Sequence, residues 1–306
     1  MTHETKNPDI ELGVTMKGFY RCVLNEGTDR EVDTGWFPNL ITNAGLDQLA
    51  NASPQIFNYA SIGTGTNLPA NTDSGLQAYT AHTQVQGDLV QANSGAPTYS
   101  TSGQYQHIYA QGAVVGNMAE VGLGWAAGGT GLWSRARILD GGGTPTILTV
   151  TAIDQLSTYY KLVVTPATTD ISGTVTLSGT NYAYTGRLAL AASFLDSFPQ
   201  IYNITRMDSV IAYASASTLG AITGYPSGAQ LPSGNRVNAP YTAGNRYLDA
   251  TVTYLPAEGN GAGGIGTILF SYAVGRAYFQ YSFTPAIPKD NTKTLTLVAR
   301  ISWNRA

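Results

Sequence analysis

Hydrophobic and polar residues alternate along most of this chain with a period of two, the spacing of a half-buried β-strand. Segments 14–24 and 30–34 read as two strands around a turn at Asn25-Glu26-Gly27. Further strands are predicted over 59–62, 105–115, 119–125, 132–140, 146–151 and 157–164. Residues 76–91 read as one long polar strand. Segments 172–177 and 182–185 form a hairpin across residues 178–181. Alternation weakens after Arg187, where 189–197 fits a short helix or a strand, and 212–245 shows little periodicity. It returns over 247–255, 267–274, 278–283 and 293–304. Gly, Pro, Asn and Ser clusters separate these runs and supply the turns.

The period changes to that of a helix at one place. After Trp36-Phe37-Pro38, Thr42 or Asn43 is placed to cap a helix, and Leu46 and Leu49 follow three residues apart. The predicted fold class is therefore mainly β, an antiparallel β-sandwich or jelly-roll-like fold with one short α-helix near residues 43–50. Residues 1–13 read as an N-terminal arm. Residues 14–306 read as a single large β domain, with a point of subdivision near 187 and a loop-rich region over 212–246.

Charge sharpens this picture. Charged residues make up 11% of the 306 residues, against about a quarter in an average soluble domain. No lysine or arginine lies between Arg30 and Arg135, and the acids of that span are Glu31, Asp33, Asp47, Asp73, Asp88 and Glu120. A surface so poor in cations is a weak match for nucleic-acid phosphates or an anionic membrane. It suits a chain that covers much of its surface with other subunits. Cys22 is the single cysteine, so no internal disulfide forms. The first residues hold no apolar signal segment, and the run Leu188–Ala192 is too short to span a bilayer, which predicts synthesis and assembly in a cytoplasm.

Candidate chemistry is sparse. Gly261-Ala-Gly-Gly-Ile-Gly266 matches the dinucleotide fingerprint by letter, but that motif needs a helix N-terminus after it, and a strand pattern follows here. Gly122-Leu-Gly-Trp-Ala-Ala127 fails the same test. His3, His82 and His107 lack neighbours at metal-ligand spacing. Asp140, Asp154, Asp196, Asp208 and Asp249 are the carboxylates available for glycoside cleavage, yet they sit singly, mostly beside turns, where Asp caps backbone donors. The expectation is no catalytic residue, no cofactor and no metal. Tyr213, Tyr225, Tyr241 and Tyr247 lie in or beside the Gly/Ser/Asn-rich region and form a candidate recognition loop, a mixture of rigid aromatic area and small polar groups. Trp36, Phe37, Leu40 and Ile41 are the candidate subunit interface.

Several pieces together resemble a family of tailed-bacteriophage virion proteins. They are Trp36-Phe-Pro-Asn-Leu-Ile-Thr-Asn-Ala-Gly-Leu-Asp-Gln-Leu49, Ile62-Gly-Thr-Gly-Thr-Asn-Leu-Pro69 and Leu132-Trp-Ser-Arg-Ala-Arg-Ile138. Later come Thr174-Val-Thr-Leu-Ser-Gly-Thr-Asn-Tyr182, Phe283-Thr-Pro-Ala-Ile-Pro-Lys289 and Thr294–Arg305, which ends in Ser302-Trp-Asn-Arg305. The resemblance implies a structural role in the tail, at the tail tip, baseplate or fibre attachment, in a virion assembled in the host cytoplasm. It carries over no catalytic residues. The implied partners are further copies of the chain, as a trimer or a ring, and other virion proteins. The alternatives are a receptor- or glycan-binding fibre module and a capsid decoration or head-fibre protein. No nucleic-acid partner and no membrane insertion are expected.

Overall fold

The computed structural model describes residues 10–50, 56–96, 99–189, 207–272 and 278–306. The strands of the first half are β1 (Ile10–Leu24), β2 (Val32–Asp33), β3 (Phe37–Pro38), β4 (Leu40–Ile41), β5 (Tyr59–Gly63), β6 (Tyr79–Thr83), β7 (Gln86–Ser94) and β8 (Ser100–Ile108). There follow β9 (Gly116–Met118), β10 (Glu120–Gly124), β11 (Leu132–Arg137), β12 (Leu148–Val150), β13 (Leu156–Pro166), β14 (Ile171–Leu177) and β15 (Thr180–Ala189). The last are β16 (Met207–Ala214), β17 (Asn235–Asn238), β18 (Tyr247–Tyr254), β19 (Ile265–Tyr272), β20 (Tyr278–Ile287) and β21 (Leu295–Arg305). Helix α1 (Asn43–Gln48) lies between β4 and β5. The protein is thus mainly β, with antiparallel sheets and one short helix among the described residues.

Packing divides the chain into two compact units. Unit 1 holds residues 1–15, 95–99 and 165–304, and unit 2 holds 16–94, 100–164 and 305–306. The division follows the packing of strands and does not fall at residue 187. Strand β1 starts at Ile10, so residues 10–13 of the expected arm are sheet; residues 1–9 lie outside the described residues.

In unit 2, β13 pairs with β8 and β8 with β7, while β4-β11-β10-β5-β6 form a second sheet. Aromatic side chains fill the space between them. Trp133 of β11 donates its indole N–H to the Tyr160 hydroxyl of β13 at 2.6 Å. Phe57 packs on Trp133, Tyr105 and Tyr160 at ring separations of 4.9–5.5 Å. Tyr20 shares a hydrogen bond with the Ser134 hydroxyl at 2.7 Å. Buried Tyr and Trp take such partners because an unsatisfied polar tip is costly. All five residues of β10 are buried, the mark of a strand covered on both faces. Helix α1 supplies part of the second cover: Thr42 caps it by accepting from Gly45 N at 2.8 Å, and donates to the Leu132 carbonyl at 2.6 Å.

In unit 1, β14-β15-β20-β19-β16 form one sheet, and β18 pairs with β17 and β21. The inner face of β18 and β21 is an alternating set: Leu248, Ala250, Val252, Tyr254, Leu297, Ala299, Ile301 and Trp303 are buried. The β14–β15 turn is tighter than expected. Ser178 and Gly179 take φ of 48° and 79°, a two-residue primed turn, and Thr180 is already in the strand.

The predicted strand over 76–91 is two strands, and each serves a different sheet. β6 pairs with β5, β7 pairs with β8, and Gln84-Val85 turn the corner. Thr83 fixes it, donating to Ile108 O at 2.8 Å and accepting from Val85 N at 3.1 Å. No Gly or Pro marks this corner, so the sequence pattern ran through it. The element expected over 189–197 lies outside the described residues after Ala189.

Candidate functional site

The four candidate interface residues behave differently. Trp36 is exposed, and Lys161 sits over its ring at 5.9 Å. Leu40 is half-buried. Phe37 and Ile41 are buried within unit 2, which corrects the expectation of a four-residue exposed patch. The reason is strand pairing. Phe37 lies opposite Tyr20 on β1 and Ile41 opposite Ser134 on β11, so both side chains enter unit 2. Only Trp36, just before β3, stays outside.

The acids of the cation-free span are largely occupied internally. Glu120 is fully buried on β10, and its carboxylate accepts from Gly65 N, Gln77 N and Ala78 N at 2.7–3.1 Å. Arg135 Nε donates to the same carboxylate at 2.8 Å, and Arg135 Nη1 reaches Asp73 at 2.6 Å. Asp33 pairs with Arg21 at 2.8 Å, and that guanidinium holds its carboxyl below the usual range. The first cation after the gap therefore lies inside, bound to two acids of the gap. Glu31, Asp33 and Asp88 remain exposed, so the outer charge of the span is sparse and acidic.

The surface of the span is also apolar in places. Val85 is 61% exposed and Val90 53%, and all nine residues of β7 are exposed. β7 is the end strand of its sheet. Sequence reading missed this edge because it merged β7 with β6. The signal was present in the string Leu89-Val-Gln-Ala-Asn-Ser94, uncharged and free of Pro and Gly.

Of the recognition-loop tyrosines, Tyr213 is buried on β16 against Ala189 and Leu269, a correction to its expected exposure. Tyr225 is exposed and packs edge-on against Tyr278. Tyr241 and Tyr247 are half-buried. Tyr241 stacks on Trp303 at 5.6 Å, and the Arg300 guanidinium lies 3.6 Å from the centre of the Tyr247 ring. Arg300 is itself gripped by Asp249 at 2.7 and 3.0 Å. Tyr247, Trp303, Arg246, Asn245 and Asn304 line an open groove of about 600 Å³ in unit 1. The structure thus joins two of the four tyrosines to one groove region and sends the other two elsewhere.

Three of the five candidate carboxylates, Asp140, Asp154 and Asp249, are held by neighbouring groups. Asp140 accepts from Gly142 N and Thr144 N, both at 2.9 Å. Asp154 accepts from the Thr151 hydroxyl and the Asn25 amide, and these bonds lower its pKa to about 2. Asp249 serves Arg300, Asp208 lies on β16, and Asp196 is outside the described residues. His107 is buried and donates Nε2–H to Phe57 O at 3.0 Å; burial lowers its pKa to about 4. His82 shares a hydrogen bond with the Tyr79 hydroxyl at 2.5 Å, and His3 is outside the described residues. Among the described residues no three His, Cys, Asp or Glu side chains gather where a metal ion could sit. No helix among them is long and apolar enough to cross a membrane. Gly261–Gly264 is a turn leading into β19, which already holds Gly266, so the fingerprint's helix N-terminus is replaced by a strand.

No protein-family model, curated protein or solved structure matches this chain.

Proposed function

We propose that this chain is a structural component of a tailed-bacteriophage virion, placed in the tail at the tip, baseplate or fibre attachment, and that it acts through contacts between subunits. The observation that carries the reading is the surface of unit 2. Arg135 is drawn inside to Glu120 and Asp73, and Trp36, Val85, Leu89 and Val90 stand exposed on a span with no cation of its own. A free monomer normally carries mixed charge on about a quarter to a third of its surface. Fully burying a large apolar side chain is worth about 1.5–3 kcal/mol, and these side chains, 37–61% exposed, stand to gain a part of that each. Repeated by symmetry in a trimer or ring, a few such contacts hold an assembly together. The ordered sequence pieces quoted above support the assignment to a phage particle.

The test is co-purification. Particles banded on a density gradient from cells that produce the chain contain it in fixed proportion to the other virion proteins. A chain that stays entirely in the soluble fraction, with particles complete without it, overturns the reading.

A second reading rests on the groove beside Tyr247 in unit 1. Its half-buried ring, with Arg246, Asn245 and Asn304, offers the aromatic area and hydrogen-bonding groups that suit a host-surface glycan. Binding of host-envelope polysaccharide that is lost in Tyr247→Ala favours this reading. Loss of polymer viscosity that depends on one of the carboxylates replaces both readings with an enzyme.

A further inference from the structure

Strand β7 ends its sheet, and its outer side pairs with none of the described strands. An antiparallel end strand directs alternate N–H and C=O groups to its open side, and such an edge accepts another extended chain unless something blocks it. The usual blocks are Lys, Pro, a bulge or short length. β7 is nine residues long and contains no Lys, Arg or Pro. Its register shift falls between Gln86 and Leu89, and its single charge, Asp88, sits in that irregular part. Beyond it, Leu89 to Ser94 pair without a break with Tyr105 to Ser100. This half of the strand is regular, uncharged and exposed, with Leu89 at 39% and Val90 at 53%.

We propose that the 89–94 half of β7 is a self-association edge. Two copies of this chain pair antiparallel along it about a two-fold axis and extend the sheet from one subunit into the next. The inference rests on the reading of the chain as a subunit that works through its interfaces, and it names the surface and the partner. Backbone geometry calls for an extended strand as occupant. The charge pattern selects a second copy. In a two-fold antiparallel pair each residue faces one of the same segment, and like charges directly opposite destabilise it. Leu89-Val-Gln-Ala-Asn-Ser94 has no charge, so each symmetric register within it sets neutral side chains opposite neutral ones. With the axis at Ala92, Val90 faces Ser94 and Gln91 faces Asn93, residues of the same parity as an antiparallel pair requires, and Asp88 falls outside the paired stretch. A strongly acidic or basic partner strand would find no complementary charge here.

The test uses the full chain with a single added thiol. Cys22 is buried, so Gln91→Cys presents the one accessible cysteine among the described residues, beside the expected axis. At tens of micromolar a short bismaleimide yields covalent dimers of Gln91→Cys. Adding Val90→Lys removes them, and in sedimentation equilibrium Val90→Lys alone weakens dimerisation by at least about tenfold. Position 90 is exposed, so an unchanged circular dichroism spectrum shows that the variant folds. Monomers only, or dimers that ignore Val90→Lys but vanish with Trp36→Asp, overturn the edge pairing. So does cross-linking from position 91 to a different protein alone. A chain present in virions that fails these tests leaves the structural-component reading standing. A chain that dimerises through β7 yet is absent from virions has the opposite meaning.

Discussion

Arg135 on β11 and Glu120 on β10 form a buried pair, Nε to Oε2 at 2.8 Å, and the pair pins the loop between β5 and β6. Glu120 holds that loop by accepting from Gly65, Gln77 and Ala78, while Arg135 holds it through Asp73 and the Asn67 carbonyl. Removing one partner of a buried pair leaves an uncompensated charge and costs about 3–5 kcal/mol. Arg135→Met is expected to lose that much in urea unfolding, with faster hydrogen exchange at Gly65 and Ala78. Arg135→Lys does not rescue it, because one ammonium cannot reproduce the guanidinium fork. A loss under 1 kcal/mol with unchanged exchange contradicts this account.

Gly45 offers a test of how α1 is seated. In a helix interior, Gly to Ala normally gains about 1 kcal/mol. Here a methyl at position 45 would run into the backbone carbonyl of Trp133. The sign therefore reverses: Gly45→Ala lowers the thermal midpoint. A midpoint that rises means that α1 does not dock on β11 in this way.

His107 sets a pH dependence. Burial holds the folded imidazole at a pKa of about 4, while the unfolded ring keeps the ordinary value of about 6.5. Above that ordinary value both states are neutral and the full stability is present. As pH falls toward 4, the unfolded chain takes up a proton that the folded chain refuses, and about 3 kcal/mol of stability is lost. Asp154 acts lower: its folded pKa of about 2 makes its contribution disappear as pH falls below the ordinary carboxylate value. Denaturant midpoints measured between neutrality and pH 4.5 should flatten in His107→Asn, and an unchanged slope would remove His107 as the cause.

The fold class was legible in the sequence, and the site less so. Period-two runs placed most strands, and Thr42, Leu46 and Leu49 marked α1 with its cap. Burial was harder to read where a short strand pairs at a sheet margin. Phe37 and Ile41 follow an exposed Trp36 in an apolar string, and nothing in the string says that β3 and β4 turn two of the three inward. Tyr213 was misplaced by its Gly/Ser-rich neighbours, although it ends a regular strand. The corner at Gln84-Val85 is made by one threonine, Thr83, and lacks the usual turn residues, so the edge strand stayed hidden. The Glu120–Arg135–Asp73 cluster joins residues far apart in sequence. Its trace was the charge gap itself, which ends at the cation that the cluster consumes.

The central claim is that this chain is a repeated structural subunit of a phage tail, and antibody-labelled electron microscopy of intact virions tests it most directly. The account predicts label at fixed, symmetry-related positions on the tail. Label confined to the head would assign the chain to capsid decoration, and virions that carry no label while the free chain is readily stained would contradict the account.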